Sequence, residues 1–383
     1  MIYDKFNNMS LSQNYVQLFI QKVLFPLNLM QYINLCPKYC IRHNFINPNS
    51  IATNVMIFST TAIIFLYYLY LSFEVLIQLK SVLTSYMYFL YSFLYLINGF
   101  GYLFNAILMV LKSHIHVALI IRMGMIQSKL KMNKRDKLRI VIGNWVFCFL
   151  IILFYSIICG VQFFYGFSNY MLILLSFLIV MPWDLNIIYA ARMAYLLRKQ
   201  TDSWISNLND MLNARNFIEG NEAKGNLRWQ TILNAYLCII EGYSICEKVT
   251  EIPIIYHVII TFIQFIINIQ TLISVSISQN VNIVLVLCVL WTIKNAILMV
   301  SVCRECEKVY SSLKNSQIVC LNTVYKDSSD FGRQICKRLR KQAKRQLQPL
   351  CAKGWLTVDL TLPLHLFSIV ATYTVVLLQF NFL

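Results

Sequence analysis

Seven apolar stretches divide this sequence, and each is about as long as a helix that crosses a lipid bilayer. The hydrocarbon core of a bilayer is about 30 Å thick, so a spanning helix needs about 20 mostly apolar residues. Only 13% of the 383 residues are charged, whereas a soluble domain carries about 25%. The sequence therefore predicts an all-α membrane protein with seven transmembrane helices. The predicted spans are 51–73, 83–111, 140–165, 170–191, 254–275, 281–303 and 362–382.

The lysines and arginines between the spans predict the orientation, because basic residues accumulate in cytosolic segments. Of the 33 Lys and Arg residues, 31 precede the first span or lie in the connections on the same side of the membrane. Lys294 lies inside a span, and only Lys80 falls on the other side. We therefore expect a cytosolic N-terminus and an extracellular C-terminus. This orientation is opposite to that of G-protein-coupled receptors, and the scattered basic residues do not indicate a nucleic-acid-binding domain.

Residues 1–50 are predicted to form a cytosolic N-terminal segment. The stretch 11–36 is apolar but is interrupted by Lys22 and Pro26, which fits a helix at the membrane interface better than a span. An eighth span there is the alternative. Residues 51–303 form a six-helix bundle, in which residues 229–249 extend the fifth span inward. Residues 304–361 are cytosolic, and their basic helix at 334–346 is either solvated or in contact with anionic lipid. Residues 362–383 are the seventh helix.

No enzyme signature is present, so we expect neither catalysis nor a cofactor. Cys303 and Cys306 have the spacing of a metal-binding pair, but a zinc site needs two further ligands, and free cytosolic thiols are the better interpretation. His114 and His116 lie at a basic cytosolic boundary and are predicted to be solvated. The sequence thus predicts neither an enzyme nor a metal site.

The last predicted span carries a polar stripe. On a helix with 3.6 residues per turn, its polar residues fall largely on one side. The members of the stripe are His365, Ser368, Thr372 and Gln379, with Val376 and Phe380 continuing it. Polar groups at membrane depth face either protein or water. The stripe therefore packs against other helices or lines a pore, and a pore requires several chains around an axis.

Two lone charges lie inside the spans. Asp184 and Lys294 are each predicted about 20 Å from the outer surface. Because an unpaired charge at this depth costs at least about 2.5–3.5 kcal/mol, we expect them to form an intramembrane ion pair. Other polar and aromatic side chains in the outer halves of the spans are candidates for binding an organic ligand, or else for helix packing. They are Tyr155, Gln162, Gln264, Asn268 and Trp291.

Residues 372–380, TYTVVLLQF, resemble the signature of insect gustatory receptors: Thr-Tyr, five mostly apolar residues, then Gln-Phe in the last helix. Residues 352–362 resemble the segment that leads into that helix, with Gly354-Trp355 and Val358-Asp359-Leu360. The resemblance is specific over residues 352–383. Elsewhere it rests on length, on seven spans, on the inverted orientation and on the long cytosolic segment before the last span.

The resemblance implies a homotetramer, or a tetramer with related chains, in the plasma membrane of a sensory neuron. Its partners would be membrane lipid and a small-molecule tastant, bound in the outer part of residues 51–303. Residues 304–361 would contribute to the contacts between subunits. The seventh helix would line a tastant-gated, non-selective cation channel, with its gate at Thr372, Val376, Gln379 and Phe380.

The resemblance also bears on the ligand. Sugar receptors of this family typically carry Glu after the Thr-Tyr pair, where this chain has Thr374, so a bitter-type or other non-sugar tastant is expected. The alternatives are a G-protein-coupled chemoreceptor, disfavoured by orientation, and a secondary transporter. A transporter would have broken helices at matching positions in two repeats, and the prolines of the spans do not match in this way.

Overall fold

The computed structural model describes residues 15–42, 44–80, 85–164, 170–215, 222–276, 282–326, 330–352, 354 and 356–382. Within these ranges the chain is almost entirely helical. In chain order the elements are α1 (Leu18–Ile33), β1 (Cys40–Arg42), β2 (Phe45–Asn47), α2 (Ile51–Leu79), α3 (Ser85–Lys129), α4 (Lys134–Phe164), α5 (Tyr170–Arg215), α6 (Glu222–Ser276), α7 (Asn282–Lys326), α8 (Asp330–Gln346), β3 (Cys351–Ala352), β4 (Leu356–Thr357) and α9 (Thr361–Phe382).

The helices α2 to α7 are long and apolar enough to cross a membrane, and α9 contributes a shorter apolar stretch at Thr361–Val376. The described parts of all seven predicted spans fall on these helices, and residues 83, 84, 165 and 281 of those spans lie outside the described residues. The prediction of an all-α, multi-pass membrane protein is therefore confirmed. The seventh span and the orientation of the two termini remain predictions.

Four helices are much longer than a bilayer is thick. Helices α3, α5, α6 and α7 have 45, 46, 55 and 45 residues, so each is at least about 65 Å long, whereas the hydrocarbon core measures about 30 Å. Each must extend well beyond the membrane. The predicted inward extension at 229–249 is indeed part of α6. The extensions pack together through buried aromatic side chains, such as Trp204 against Tyr236 with ring centroids 4.7 Å apart.

Helix α1 lies against the bundle, chiefly on α4. Val23, Leu24 and Leu27 are buried, and the Asn144 side-chain amide donates a hydrogen bond to the carbonyl of Val23, 2.6 Å away. Its 16 residues reach only about 24 Å, which is shorter than the hydrocarbon core. The length of α1 therefore favours the predicted interfacial helix over an eighth span.

Two small antiparallel hairpins flank the helical bundle. β1 pairs with β2, and Ile41 lies opposite Ile46. β3 pairs with β4 just before α9, so that Ala352 lies opposite Leu356. Gly354, in the turn between them, has φ +73°, a conformation that glycine adopts without steric cost. The segment leading into α9 is thus a tight hairpin.

Candidate functional site

The two intramembrane charges form an ion pair in the middle of the bundle. Lys294 Nζ on α7 lies 2.6 Å from Asp184 Oδ2 on α5, and their side chains are only 6% and 3% exposed. The Tyr155 hydroxyl on α4 donates a second hydrogen bond to the same oxygen, at 2.7 Å. A buried charge pair is tolerated when further hydrogen bonds satisfy it. The geometry therefore joins α4, α5 and α7 at one point.

Aromatic rings surround the ammonium group of Lys294. Its Nζ lies 4.4 Å from the centroid of the Trp291 ring, 5.7 Å from that of Tyr155 and 5.9 Å from that of Phe154. Cation–π attraction operates within about 6 Å and grows stronger when water is absent. These rings therefore compensate part of the hydration that the ammonium loses on burial.

Beside this pair, side-chain hydrogen bonds join α7 to α6. Gln264 Oε1 accepts from Trp291 Nε1 at 2.9 Å and from the Asn295 side-chain amide. One turn further along α6, the Asn268 amide donates to the Thr292 hydroxyl at 3.0 Å. The structure thus brings four of the five predicted ligand-contacting residues, Tyr155, Gln264, Asn268 and Trp291, onto one connected set of helix faces.

Among the described residues, no hydrogen bond joins Gln162, the fifth predicted residue, to the other four. It lies seven residues beyond Tyr155 on α4, about 10 Å further along the helix. Its Oε1 is buried and has no hydrogen-bond partner within the described part of the chain. Its predicted contact with a ligand stays a prediction.

Beside the ion pair is a small cavity lined partly by residues that the sequence analysis did not select. Asn98 on α3, and Tyr256 and His257 on α6, line it together with Asp184 and Lys294. Its volume of about 10 Å³ has room for about one water molecule. Within the described residues, the buried His257 Nε2 lacks a hydrogen-bond partner, so a water molecule fits there. The signal available in the sequence was polarity within a predicted span, which Asn98 and His257 both have.

Helix α9 lies at the edge of the bundle and contacts α6 and α7. Its buried stripe consists of Leu362, Leu366 and Val370. Phe367 stacks on Phe265 of α6, with centroids 5.6 Å apart. These contacts cover one face of α9 and fix how the helix is turned towards the bundle.

The polar stripe of α9 faces away from these contacts. His365, Ser368, Thr372 and Gln379 are exposed in the single chain, and Val376 is 40% exposed. The Thr372 hydroxyl donates to the carbonyl of Ser368 at 3.0 Å. The backbone of Phe380 is helical, but its side chain lies outside the described residues. One chain therefore leaves most of the predicted gate residues uncovered.

The prediction that both histidines of the His114–His116 pair are solvated is wrong for His116. His114 is exposed, but His116 is 2% exposed and its ring lies edge-on to Tyr189, with centroids 5.5 Å apart. Lys38 Nζ lies 3.7 Å from the centre of the same Tyr189 ring. The segment between α1 and β1 covers this face of α3, which the sequence pattern did not indicate.

Lys38 belongs to this segment, outside the membrane-spanning helices. It is 1% exposed and makes no salt bridge to a carboxylate of the described chain. Its burial lowers its pKa well below the ordinary value of 10.5.

All twelve cysteines are free thiols. Cys303 and Cys306 are buried in α7, and the described residues contain no group of three or more His, Cys, Asp or Glu side chains placed to hold a metal ion. The arrangement at the centre of the bundle is a polar and aromatic cluster without the ligand set of a metal centre.

No protein-family model matches the chain. Part of the chain is similar in sequence to Gustatory receptor 68a of Drosophila melanogaster, with 33% identity over 92 residues. These residues make up 24% of this chain and 23% of that receptor. The similarity thus spans less than a quarter of that relative's length. In fold, the chain is similar to the insect olfactory receptor OR5 from Machilis hrabei, with a TM-score of 0.63 over 94% of this chain and 98% of that one, at 12% sequence identity.

Proposed function

We propose that this chain, which belongs with the insect gustatory and olfactory receptors, is a gustatory receptor in the plasma membrane of a sensory neuron. A small organic tastant of the bitter type, or another non-sugar ligand, opens a non-selective cation channel formed by four copies. The support is the partial sequence similarity to a gustatory receptor and the shared fold of an olfactory receptor. These relatives also favour a receptor over an enzyme.

The exposed polar stripe of α9 carries the channel proposal. Thr372 and Gln379 lie on a face that the single chain does not cover. The rest of this helix is mostly apolar. Polar side chains within a membrane face protein or water rather than lipid. Four copies of α9 around an axis would enclose a water-filled path lined by these groups, and no single chain can do so.

The ligand site in this proposal is the cluster around Tyr155, Gln264 and Trp291. A pocket for a drug-sized ligand measures about 300–1,000 Å³, whereas the cavity between Gln264 and the ion pair has a volume of about 10 Å³. Binding must therefore separate the side chains that now meet each other. The ligand favours the open channel only through tighter contacts in that state, and rearrangement of α6 and α7, which both contact α9, supplies the physical connection.

The proposal is tested with purified full-length protein in a planar bilayer free of other proteins. We expect a panel of organic tastants to evoke currents that carry sodium and potassium about equally. A purified protein that binds a tastant but passes no current would contradict the channel. A response that appears only in cells, and is abolished by blocking G proteins, would favour the G-protein-coupled alternative. Ligand uptake without current would favour the transporter.

A further inference from the structure

A basic groove runs between α5 and α7, beyond the membrane-spanning part of both helices. Its lining includes Arg198 of α5 and Lys308 and Lys314 of α7, together with the polar side chains of Ser311 and Asn315. We call this the basic groove. Its volume is about 500 Å³, which is within the range of small-molecule sites. It is therefore far roomier than the cavity at the ion pair.

The positive charge of this groove is only partly neutralised. Arg198 Nη2 lies 3.4 Å from Glu305 Oε2, but its Nε is buried without a hydrogen-bond partner within the described chain. Neither Lys308 nor Lys314 makes a salt bridge to a described carboxylate. Asp202, the one acid of the lining, accepts a hydrogen bond from the Ser312 hydroxyl at 2.6 Å. Among the described residues, the groove thus offers two cations without a salt bridge and a third that is partly paired.

The depth of the groove relative to the membrane determines which ligands can reach it. Arg198 lies 14 residues beyond Asp184 on α5, and Lys308 lies 14 residues beyond Lys294 on α7, so both are about 21 Å past the ion pair. The ion pair is predicted about 20 Å below the outer surface, and the hydrocarbon core is about 30 Å thick. The groove is therefore about 10 Å past the inner edge of the core, within reach of lipid headgroups and of soluble anions.

We propose that the basic groove binds a ligand with several phosphate groups on a polyhydroxylated ring, such as an inositol phosphate. Lys and Arg side chains form strong charge-assisted hydrogen bonds to phosphate. Ser311 and Asn315 are exposed and add neutral donors, and the Asp202 carboxylate accepts from ring hydroxyls. The same chemistry is present in a phosphorylated inositol lipid and in the free headgroup, and the experiment separates these sources. The site is independent of the tastant and the gate.

The test uses full-length protein in nanodiscs of phosphatidylcholine and measures binding of soluble inositol 1,4,5-trisphosphate by calorimetry. We expect the double variant Lys308→Gln/Lys314→Gln to bind at least about tenfold more weakly, since it removes two of the three cations that line the groove. The matched control Lys337→Gln/Lys341→Gln removes the same charge from the exposed face of α8 and should change affinity less than about twofold.

A second set of nanodiscs contains phosphatidylinositol 4,5-bisphosphate and identifies the source of the phosphate. If the lipid competes with the soluble headgroup, the groove takes lipid; if it does not, the groove takes the free anion. The proposal is overturned if wild-type protein binds neither probe, or if the groove and α8 variants lose affinity equally. It is also overturned if the groove variant dissociates the oligomer in mass photometry, since the groove would then be a contact between subunits.

Discussion

The ammonium group of Lys294 and the carboxylate of Asp184 lie 2.6 Å apart, although 110 residues separate them along the chain. The pair connects α5 and α7 inside the membrane and borders the small cavity beside His257. Its partner hydrogen bond from Tyr155 brings in α4. Structural integrity and ligand response should therefore both depend on this pair.

Removing one member of the pair should be costlier than removing both. We expect Asp184→Asn or Lys294→Met to lower stability by about 3–5 kcal/mol, because each leaves an uncompensated buried charge. The double variant should recover much of this loss of stability. The charge swap Asp184→Lys with Lys294→Asp should recover part of it. Surface expression and thermal unfolding in detergent measure the effect. Fully additive losses in the double-mutant cycle would show that the two side chains act independently.

The exposed stripe of α9 should respond to substitution as a gate does. In the proposed tetramer, Val376 and Phe380 would form an apolar ring, and a narrow apolar ring excludes ions by dewetting. Phe380→Ala should therefore pass current without ligand. Gln379→Ala and Thr372→Val should each lower the evoked current by removing polar groups from the lumen. Whole-cell recording, normalised to surface expression, measures all three changes.

Cysteine labelling distinguishes which exposed face of α9 lines the lumen. Val375, Val376 and Leu378 are all exposed in the single chain, so only the assembly separates them. Cysteine at 376 or 379 should react with an external thiol reagent in the open state at least about tenfold faster than cysteine at 375 or 378. Equal rates on both faces, or normal gated current after truncation at Ala371, would show that α9 does not line the pore.

Lys38 should limit stability at neutral pH. Because its pKa is lowered in the folded protein and is about 10.4 when unfolded, the unfolded state binds more protons between these values. The contribution of Lys38 to stability therefore rises with pH across that window. We expect Lys38→Met to raise the melting temperature most near pH 7 and progressively less towards pH 9.5, with Lys337→Met as the exposed control. A gain that does not depend on pH would contradict the lowered pKa.

Gly101 allows α3 to approach Tyr256 at the edge of the cavity. A Cβ atom at this position would clash with the hydroxyl of Tyr256. The Tyr256 ring stacks on Trp183 with centroids 3.7 Å apart. Gly101→Ala should therefore cost about 1–3 kcal/mol by overpacking. In Tyr256→Leu protein the same change should cost markedly less, as measured by thermal unfolding. Gly124→Ala, which meets no atom within 4 Å, is the matched control.

The predicted orientation has its own test at the N-terminus, which lies outside the described residues. Asn8-Met9-Ser10 is an acceptor sequence for N-glycosylation, and it should stay unmodified if the N-terminus is cytosolic. An acceptor sequence added after Leu383 should be modified, and this serves as the positive control. A glycosidase-sensitive mass shift that disappears in Asn8→Gln protein would place the N-terminus outside the cell.

The sequence alone predicted the membrane-spanning helices and an expected depth for each of their residues. Hydropathy is a property of consecutive residues, so the spans 51–73 and 254–275 were recognisable without tertiary contacts. Depth follows from counting residues along a helix, which is why Asp184 and Lys294 were expected at one level. The free-energy cost of placing a polar group in lipid likewise indicated Tyr155, Gln264 and Trp291 as candidates. Polar groups inside a predicted span usually have a partner.

Only the tertiary structure decided which faces meet. His116 shows this, because it is buried under the segment that carries Lys38. The cavity at His257 and the basic groove between α5 and α7 likewise combine residues from helices distant in sequence. Rotation of each helix about its axis depends on packing against neighbours, and periodicity along one helix cannot encode the position of another.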